Sequence, residues 1–99
     1  MKYAVIGSGS MGNRRVSHLK ELSNTEVLCY DIRIDRREFV SKKYSINSAS
    51  GVKDIINFGP DAIFICTPPA SHLDYINLAI KHNWHFMVEQ PIFHKPLPA

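Results

Sequence analysis

No apolar run in this 99-residue sequence approaches the roughly 20 residues that a membrane-spanning helix needs. The opening stretch MKYAVIG carries one positive side chain and a short apolar run, but glycines break it before a secretory h-region of about 7–15 residues can form, so the cytoplasm is the expected compartment. Cysteine is scarce. Cys29 and Cys66 both sit inside apolar stretches, with no His, Cys, Asp or Glu partner at metal-ligand spacing; they read as reduced core thiols, and no metal site is expected. Nothing repeats along the chain. Neither sign of charge dominates, since 12 Lys and Arg against 9 Asp and Glu leave a net +3. Residues 1–50 hold nine cations against five acids, but these are scattered through amphipathic stretches without interleaved aromatics, so neither nucleic acid nor a membrane is an expected partner. At 44% apolar and 21% charged residues the composition is that of one small globular domain with a modest core.

What the sequence does have is concentrated at its start. Tyr3, Ala4, Val5 and Ile6 make a short β-prone run that stops at Gly7, Gly9 and Gly12, spaced G-x-G-x-x-G. That order reads as strand, tight turn and helix start. Gly7 supplies the turn, Gly9 lets the backbone approach a pyrophosphate, and Gly12 lets the helix pack on the strand, with free N–H groups facing the anion. The same spacing also serves an ordinary glycine-rich turn, so its surroundings decide. Asp31 lies 24 positions beyond Gly7, at the end of the apolar run Val27 to Tyr30. That is near the offset at which a dinucleotide-binding βαβ unit places an acid on the adenosine ribose.

The intervening segment places Met11, Val16, Leu19 and Leu22 on one helical side and Arg14, Arg15, Lys20 and Glu21 on the outer one. After Asp31, Asp35 and Glu38 form a capping-box pattern for a short basic helix with Phe39 inward. Ile46 falls in a short third strand, and Ser50 opens a helix with Val52, Ile55 and Ile56 as its apolar side, ended by Gly59-Pro60. Asp61 to Cys66 is the clearest strand, stopped by Thr67-Pro68-Pro69 at the same sheet edge as Gly7 and Asp31. Ser71 caps a helix striped by Leu73, Ile76 and Ile80, and His85 to Val88 is a fifth strand leading into Glu89-Gln90-Pro91. His82 and His85, beside Trp84, read as structural. Strict alternation of five strands with helices predicts a three-layer, Rossmann-like parallel α/β sheet in the order 3-2-1-4-5.

These residues also carry a family resemblance. KYAVIGSGSMG, Tyr30-Asp31, AIFICTPPASH from Ala62 to His72 and HFMVEQP from His85 to Pro91 resemble the amino-terminal nucleotide-binding domain of the Gfo/Idh/MocA (glucose-fructose oxidoreductase, inositol dehydrogenase, rhizopine catabolism) oxidoreductases. The resemblance implies an NAD- or NADP-dependent enzyme acting on a sugar, inositol or related polyol, three to four times this length. Residues 1–91 would be its dinucleotide domain and 92–99 the start of a connector. The substrate domain, which is absent here, generally forms the homo-oligomer interface. It implies that the backbone of Gly7, Ser8, Gly9, Ser10, Met11 and Gly12 holds the pyrophosphate, that Asp31 with Ile32 meets the adenosine ribose, and that Thr67, Pro68 and Pro69 line the dinucleotide pocket. His72 matches the histidine after the proline pair. Glu89 and Gln90 match the first two positions of a Glu-Lys-Pro motif, whose glutamate borders the nicotinamide riboside.

The departure is at Gln90, where the family has lysine. Glutamine hydrogen-bonds but carries no charge and cannot act as a general base, so Gln90 is a doubtful catalytic residue. By itself this chain is expected to be inactive. A non-catalytic dinucleotide-binding module is the alternative function, supported by Gln90. S-adenosylmethionine is a third ligand class, opposed by the helix-packing glycine at Gly12 and by the Thr67-Pro68-Pro69 and Glu89-Gln90-Pro91 segments. Asp31 favours NAD, because a carboxylate accepts from a free ribose 2′-OH and repels a 2′-phosphate; Arg33, Arg36 and Arg37 keep NADP possible.

Overall fold

Continuous apolar strands without polar alternation bury both faces, and a chain that alternates them with helices has to place those helices on the two sides of one sheet. The computed structural model, which describes residues 1–89, has this arrangement. Strands β1 (Lys2–Ile6), β2 (Glu26–Tyr30), β3 (Asn47–Ser48), β4 (Ala62–Ile65) and β5 (His85–Val88) alternate with helices α1 (Ser10–Lys20), α2 (Ile34–Tyr44), α3 (Val52–Phe58) and α4 (His72–His82). A single 3-10 turn, Pro69–Ser71, precedes α4. All pairings are parallel and the order is β3-β2-β1-β4-β5, as the alternation predicts. Gln90, Pro91 and residues 92–99 lie outside the described residues.

The central strand sets the register of everything else. Val5 pairs with Cys29 on one side and with Phe64 on the other, so β1 is flanked along its length. Its side chains divide the core. Ala4 and Ile6 join Leu28, Ile55, Ile63, Ile65 and Ala79 on the face covered by α3 and α4. Val5 joins Val16, Leu19, Val27, Cys29 and Val40 on the face covered by α1 and α2. Burying each of these Val, Leu and Ile side chains contributes about 1.5–3 kcal/mol.

Several inward positions differ from the periodicity. Leu22 follows the end of α1 and is exposed, because the chain turns at Glu21 instead of completing another helical turn. In α2 the buried residue is Val40, and Phe39 is exposed. No capping box forms either: α2 starts at Ile34, and the Asp35 carboxylate takes the Arg33 guanidinium. The local turn is already fixed by Asp31, whose Oδ1 accepts the Arg33 N–H at 2.8 Å. Ile46 lies one residue before β3 and packs on the α1/α2 side. On α4 the inward side is Tyr75, Ile76 and Ala79; Leu73 and Ile80 are exposed. Val52 in α3 is likewise 40% exposed, and Ile55 carries the contact.

Two glycines make the turn after β1 possible. Gly7 has φ +98°, and a Cβ there would lie 2.7 Å from the Cys66 carbonyl oxygen. At Gly12 a Cβ would come within 1.7 Å of the Gly7 carbonyl oxygen, so α1 rests directly on the turn that begins it. Gly51 has extended backbone and open space around it. Gly12→Ala is therefore expected to lower stability by about 3 kcal/mol or more through overpacking, while Gly51→Ala leaves it within about 0.5 kcal/mol. Urea unfolding midpoints of the two variants check this pair.

Candidate functional site

Four chain ends converge at the carboxyl edge of the sheet: the loop after β1, the Asp31 turn after β2, the Thr67 turn after β4 and Glu89 after β5. In a parallel sheet whose order reverses at β1, this edge is where a ligand finds a crevice. A hollow of about 620 Å³ opens there, between the ends of β2 and β4. A hollow of about 710 Å³ at the opposite edge, lined by Met1, Lys2, Lys20, Glu26 and Asp61, has no glycine loop. It sits at the C-terminal end of α1, where the helix field disfavours anions.

The floor of the first hollow is the glycine loop. The first intrahelical bond of α1 runs from Asn13 N–H to the Gly9 carbonyl at 2.9 Å, which leaves the N–H groups of Ser10, Met11 and Gly12 without a place in the helix ladder. No side chain caps this end, and its first turn holds no acid. The helix field there is positive, with no acid in the helix's own first turn to offset it. Gly9 completes the cradle: a Cβ on it would meet nothing nearer than Arg36 Nη1 at 3.8 Å. The protein's own packing therefore does not require glycine at this position, whereas it does at Gly7 and Gly12. Glycine suits the N-cap position that it occupies here, and it leaves the backbone open to close approach. Ser8 Oγ and Thr67 Oγ1 are buried with no hydrogen-bond partner among the described residues, so polar capacity remains unspent on the two loops that flank the hollow.

Asp31 is 8% exposed and already works within the fold. Its Oδ2 accepts the Ser8 N–H at 2.7 Å and its Oδ1 accepts the Arg33 N–H at 2.8 Å. The carboxylate thus ties the glycine loop to the turn after β2, and each oxygen keeps a further acceptor site.

The sequence-derived site residues separate into three groups. Gly7, Gly9, Ser10, Met11, Asp31, Ile32, Thr67, Pro68 and Pro69 all line the hollow. Ser8, Gly12, His72 and Glu89 do not, although they adjoin it. Ser8 is buried beneath the loop, Gly12 serves packing, and the His72 ring bonds the Thr67 carbonyl oxygen through Nε2 at 2.7 Å, fixing the start of α4 against the proline turn. Glu89 donates its N–H to Ile65 O at 2.8 Å and forms an ion pair with Arg15. Gln90 lies outside the described residues. Arg15 is thus not on the outer face that helical spacing assigned to it; its guanidinium also lies 5.0 Å above the Phe64 ring. Sequence reasoning missed Tyr30, Cys66, Ser71 and Tyr75 as wall residues. The four-residue spacing of Ser71 and Tyr75, which puts both on one side of a helix start, was the available signal.

Of the three arginines after Asp31, Arg33 is held by Asp35, and Arg37 reaches the carbonyl oxygens of Asp31 and Ser50 at 3.3 and 3.5 Å. Arg36 lines the hollow and has no carboxylate partner among the described residues. Burial, and after it the Tyr30 and Asp31 side chains, pushes the Tyr75 phenol above its usual range. Burial likewise raises the Cys66 thiol to about 12, with Glu89 adding to the rise and Arg15 opposing it, and the Cys29 thiol to about 11. Both cysteines are free thiols, and neither is a nucleophile near neutral pH.

Four likenesses bear on this site. Residues 1–97 match the family GFO_IDH_MocA, described as "Oxidoreductase family, NAD-binding Rossmann fold". Biliverdin reductase A of Mus musculus is 29% identical over 92 residues, covering 89% of this chain and 30% of that protein. Among solved structures, UDP-N-acetylglucosamine 3-dehydrogenase GnnA from Acidithiobacillus ferrooxidans superposes with a TM-score of 0.82 at 21% identity, over 91% of this chain and 29% of that one. KijD10, a 3-ketoreductase from Actinomadura kijaniata in complex with NADP and TDP-benzene, does so with a TM-score of 0.78 at 22% identity, over 92% and 29%. At these identities the solved structures establish the shared fold, and the chain spans about three tenths of the length of each protein it matches.

Two outcomes follow from the geometry. Asp31→Ala, which removes a charged acceptor from two backbone donors, is expected to destabilise the fold by about 2 kcal/mol in urea unfolding. The thiols give a pH signature. The folded chain holds these protons to about 11 and 12, above the ordinary value of 9.0, so above that value the unfolded chain binds fewer protons. Their contribution to stability is complete below about pH 9 and is lost as pH rises towards the folded values. Urea midpoints should accordingly fall between pH 8 and pH 10, and iodoacetamide at pH 8 should label the native thiols far more slowly than the unfolded ones.

Proposed function

The chain belongs to the oxidoreductase family with an NAD-binding Rossmann fold, and from that premise we propose that it is the dinucleotide-holding part of an NAD(P)-dependent oxidoreductase whose substrate is a sugar, inositol or related polyol. The single observation that carries the cofactor half of this reading is the uncapped start of α1 under Gly9. It offers N–H groups without partners among the described residues, a positive helix end and open space around Gly9. A nicotinamide dinucleotide fits these residues: the loop from Gly7 to Gly12 takes the pyrophosphate, Asp31 accepts from a ribose hydroxyl, and Thr67, Pro68 and Pro69 close the opposite wall. When bound, such a cofactor supplies the hydride chemistry; the chain supplies orientation and exclusion of water. The substrate half is supported by the sugar-nucleotide dehydrogenase among the structural neighbours. In this reading residues 1–91 form the cofactor domain, residues 92–99 lead towards a substrate domain, and the assembly is a homo-oligomer built through that domain.

We infer NAD as the preferred form. This preference is supported by the Asp31 carboxylate, which would repel a 2′-phosphate, and by the engagement of two of the three nearby arginines elsewhere. Gln90 supports a second reading, a dinucleotide-binding module without turnover, since no general base stands at the usual lysine position.

Calorimetric titration with NADH, NADPH and S-adenosylmethionine tests the proposal. NADH is expected to bind more tightly than NADPH, S-adenosylmethionine not at all, and Gly9→Val to abolish the NADH heat while leaving the circular dichroism spectrum unchanged. A folded chain with no dinucleotide heat overturns the cofactor reading, and tighter NADPH binding overturns the preference for NAD. Dinucleotide binding by the full polypeptide without reduction of NAD by any polyol or sugar would favour the module over the enzyme.

A further inference from the structure

Arg15 occupies the second turn of α1 and would be a solvated residue if helical spacing alone placed it. Instead its side chain crosses the α1/α2 face of the sheet, where Phe64 and Met87 are neighbours on β4 and β5 and Met87 is 51% exposed. The guanidinium stacks over Phe64, 5.0 Å from the ring centroid, and Nη2 meets Glu89 Oε1. Both side chains are largely covered, at 28% and 20% exposure. The pair therefore links the helix that starts at the glycine loop to the last described residue of the carboxyl edge.

Glu89 is held from two directions. Its backbone N–H is fixed on Ile65 O, in register with the strand ladder, and its carboxylate is fixed by Arg15. It adjoins Cys66, which it raises electrostatically, and Cys66 lines the hollow. A dinucleotide whose pyrophosphate rests on the loop and whose adenosine meets Asp31, at the β2 side, must send its second nucleoside the other way, past the ends of β4 and β5. Glu89 is the acid at that end. A glutamate left to itself must be ordered when a ligand arrives, which weakens binding; one already clamped does not.

We propose that Arg15 is a positioning residue that holds the Glu89 carboxylate ready, as a hydrogen-bond acceptor, for the second nucleoside of the dinucleotide. This rests on the dinucleotide reading above. What it adds to that reading is Arg15, as the group that orders the Glu89 carboxylate before a ligand arrives.

The test compares ligands of two lengths. NADH and ADP are titrated calorimetrically into the chain and its Arg15→Gln, Glu89→Gln and doubly substituted variants. Arg15→Gln is expected to weaken NADH roughly fivefold, the equivalent of losing one pre-ordered side chain, and to leave ADP within about twofold. Glu89→Gln should do the same, and the double variant should be no weaker than Glu89→Gln alone, since the guanidinium acts only through the carboxylate. An unchanged NADH affinity in Arg15→Gln overturns the proposal. So does a parallel loss of NADH and ADP, or of both together with the fold, because a brace between α1 and β5 or a general loss of positive charge would weaken both ligands alike. A native chain that binds ADP and NADH equally tightly removes the role of Glu89 and with it that of Arg15, while a native chain that binds neither refutes the dinucleotide reading itself.

Discussion

The contact between the first turn of α1 and the carbonyl of Gly7 is the constraint on which the site depends. Without a Cβ at Gly12, the helix begins almost on top of the strand that feeds it. That closeness aims the α1 N-terminus into the carboxyl edge of the sheet and leaves its first N–H groups there unsatisfied. Among the described residues no side chain caps this end, so its N–H groups are open to water or to an anion.

Asp31 couples that loop to the next element. An acid at this place in a βαβ unit invites a purely ligand-directed account, yet both of its oxygens already accept backbone N–H groups, one in the glycine loop and one in the turn after β2. A structural role thus stands beside the proposed binding role of this carboxylate. The carboxylate holds the loop in shape, and its remaining acceptor sites border the hollow. Arg33, which looked available to a phosphate, borders the hollow but is paired with Asp35, whereas Arg36 borders it without a carboxylate partner among the described residues.

The strand order and the glycine loop were legible because they rest on strong local rules: apolar strands covered on both sides, breakers at their ends, and the spacing of Gly7, Gly9 and Gly12. Helix faces were less so. Leu22, Phe39, Leu73 and Ile80 are apolar and helically spaced, but a short helix on a small sheet buries only one or two positions, here Val40 in α2 and Ala79 in α4. Small residues win where helix and sheet come closest, and periodicity counts them poorly. Arg15 was illegible for another reason. Its partner is 74 residues away, and no local pattern distinguishes a long cation that crosses a sheet from one that points into water.

The strand order carries a kinetic consequence. The first strand of the chain is the middle strand of the sheet, and its second neighbour, β4, begins only at Ala62. As the chain leaves the ribosome, β1, α1 and β2 can assemble early, but one flank of β1 stays open until most of the domain has been synthesised. Such long-range parallel pairings are slow to close. The hollow needs the Thr67 turn as its second wall, so it is among the last features to form. A newly made chain has its glycine loop well before it has anywhere to hold a ligand.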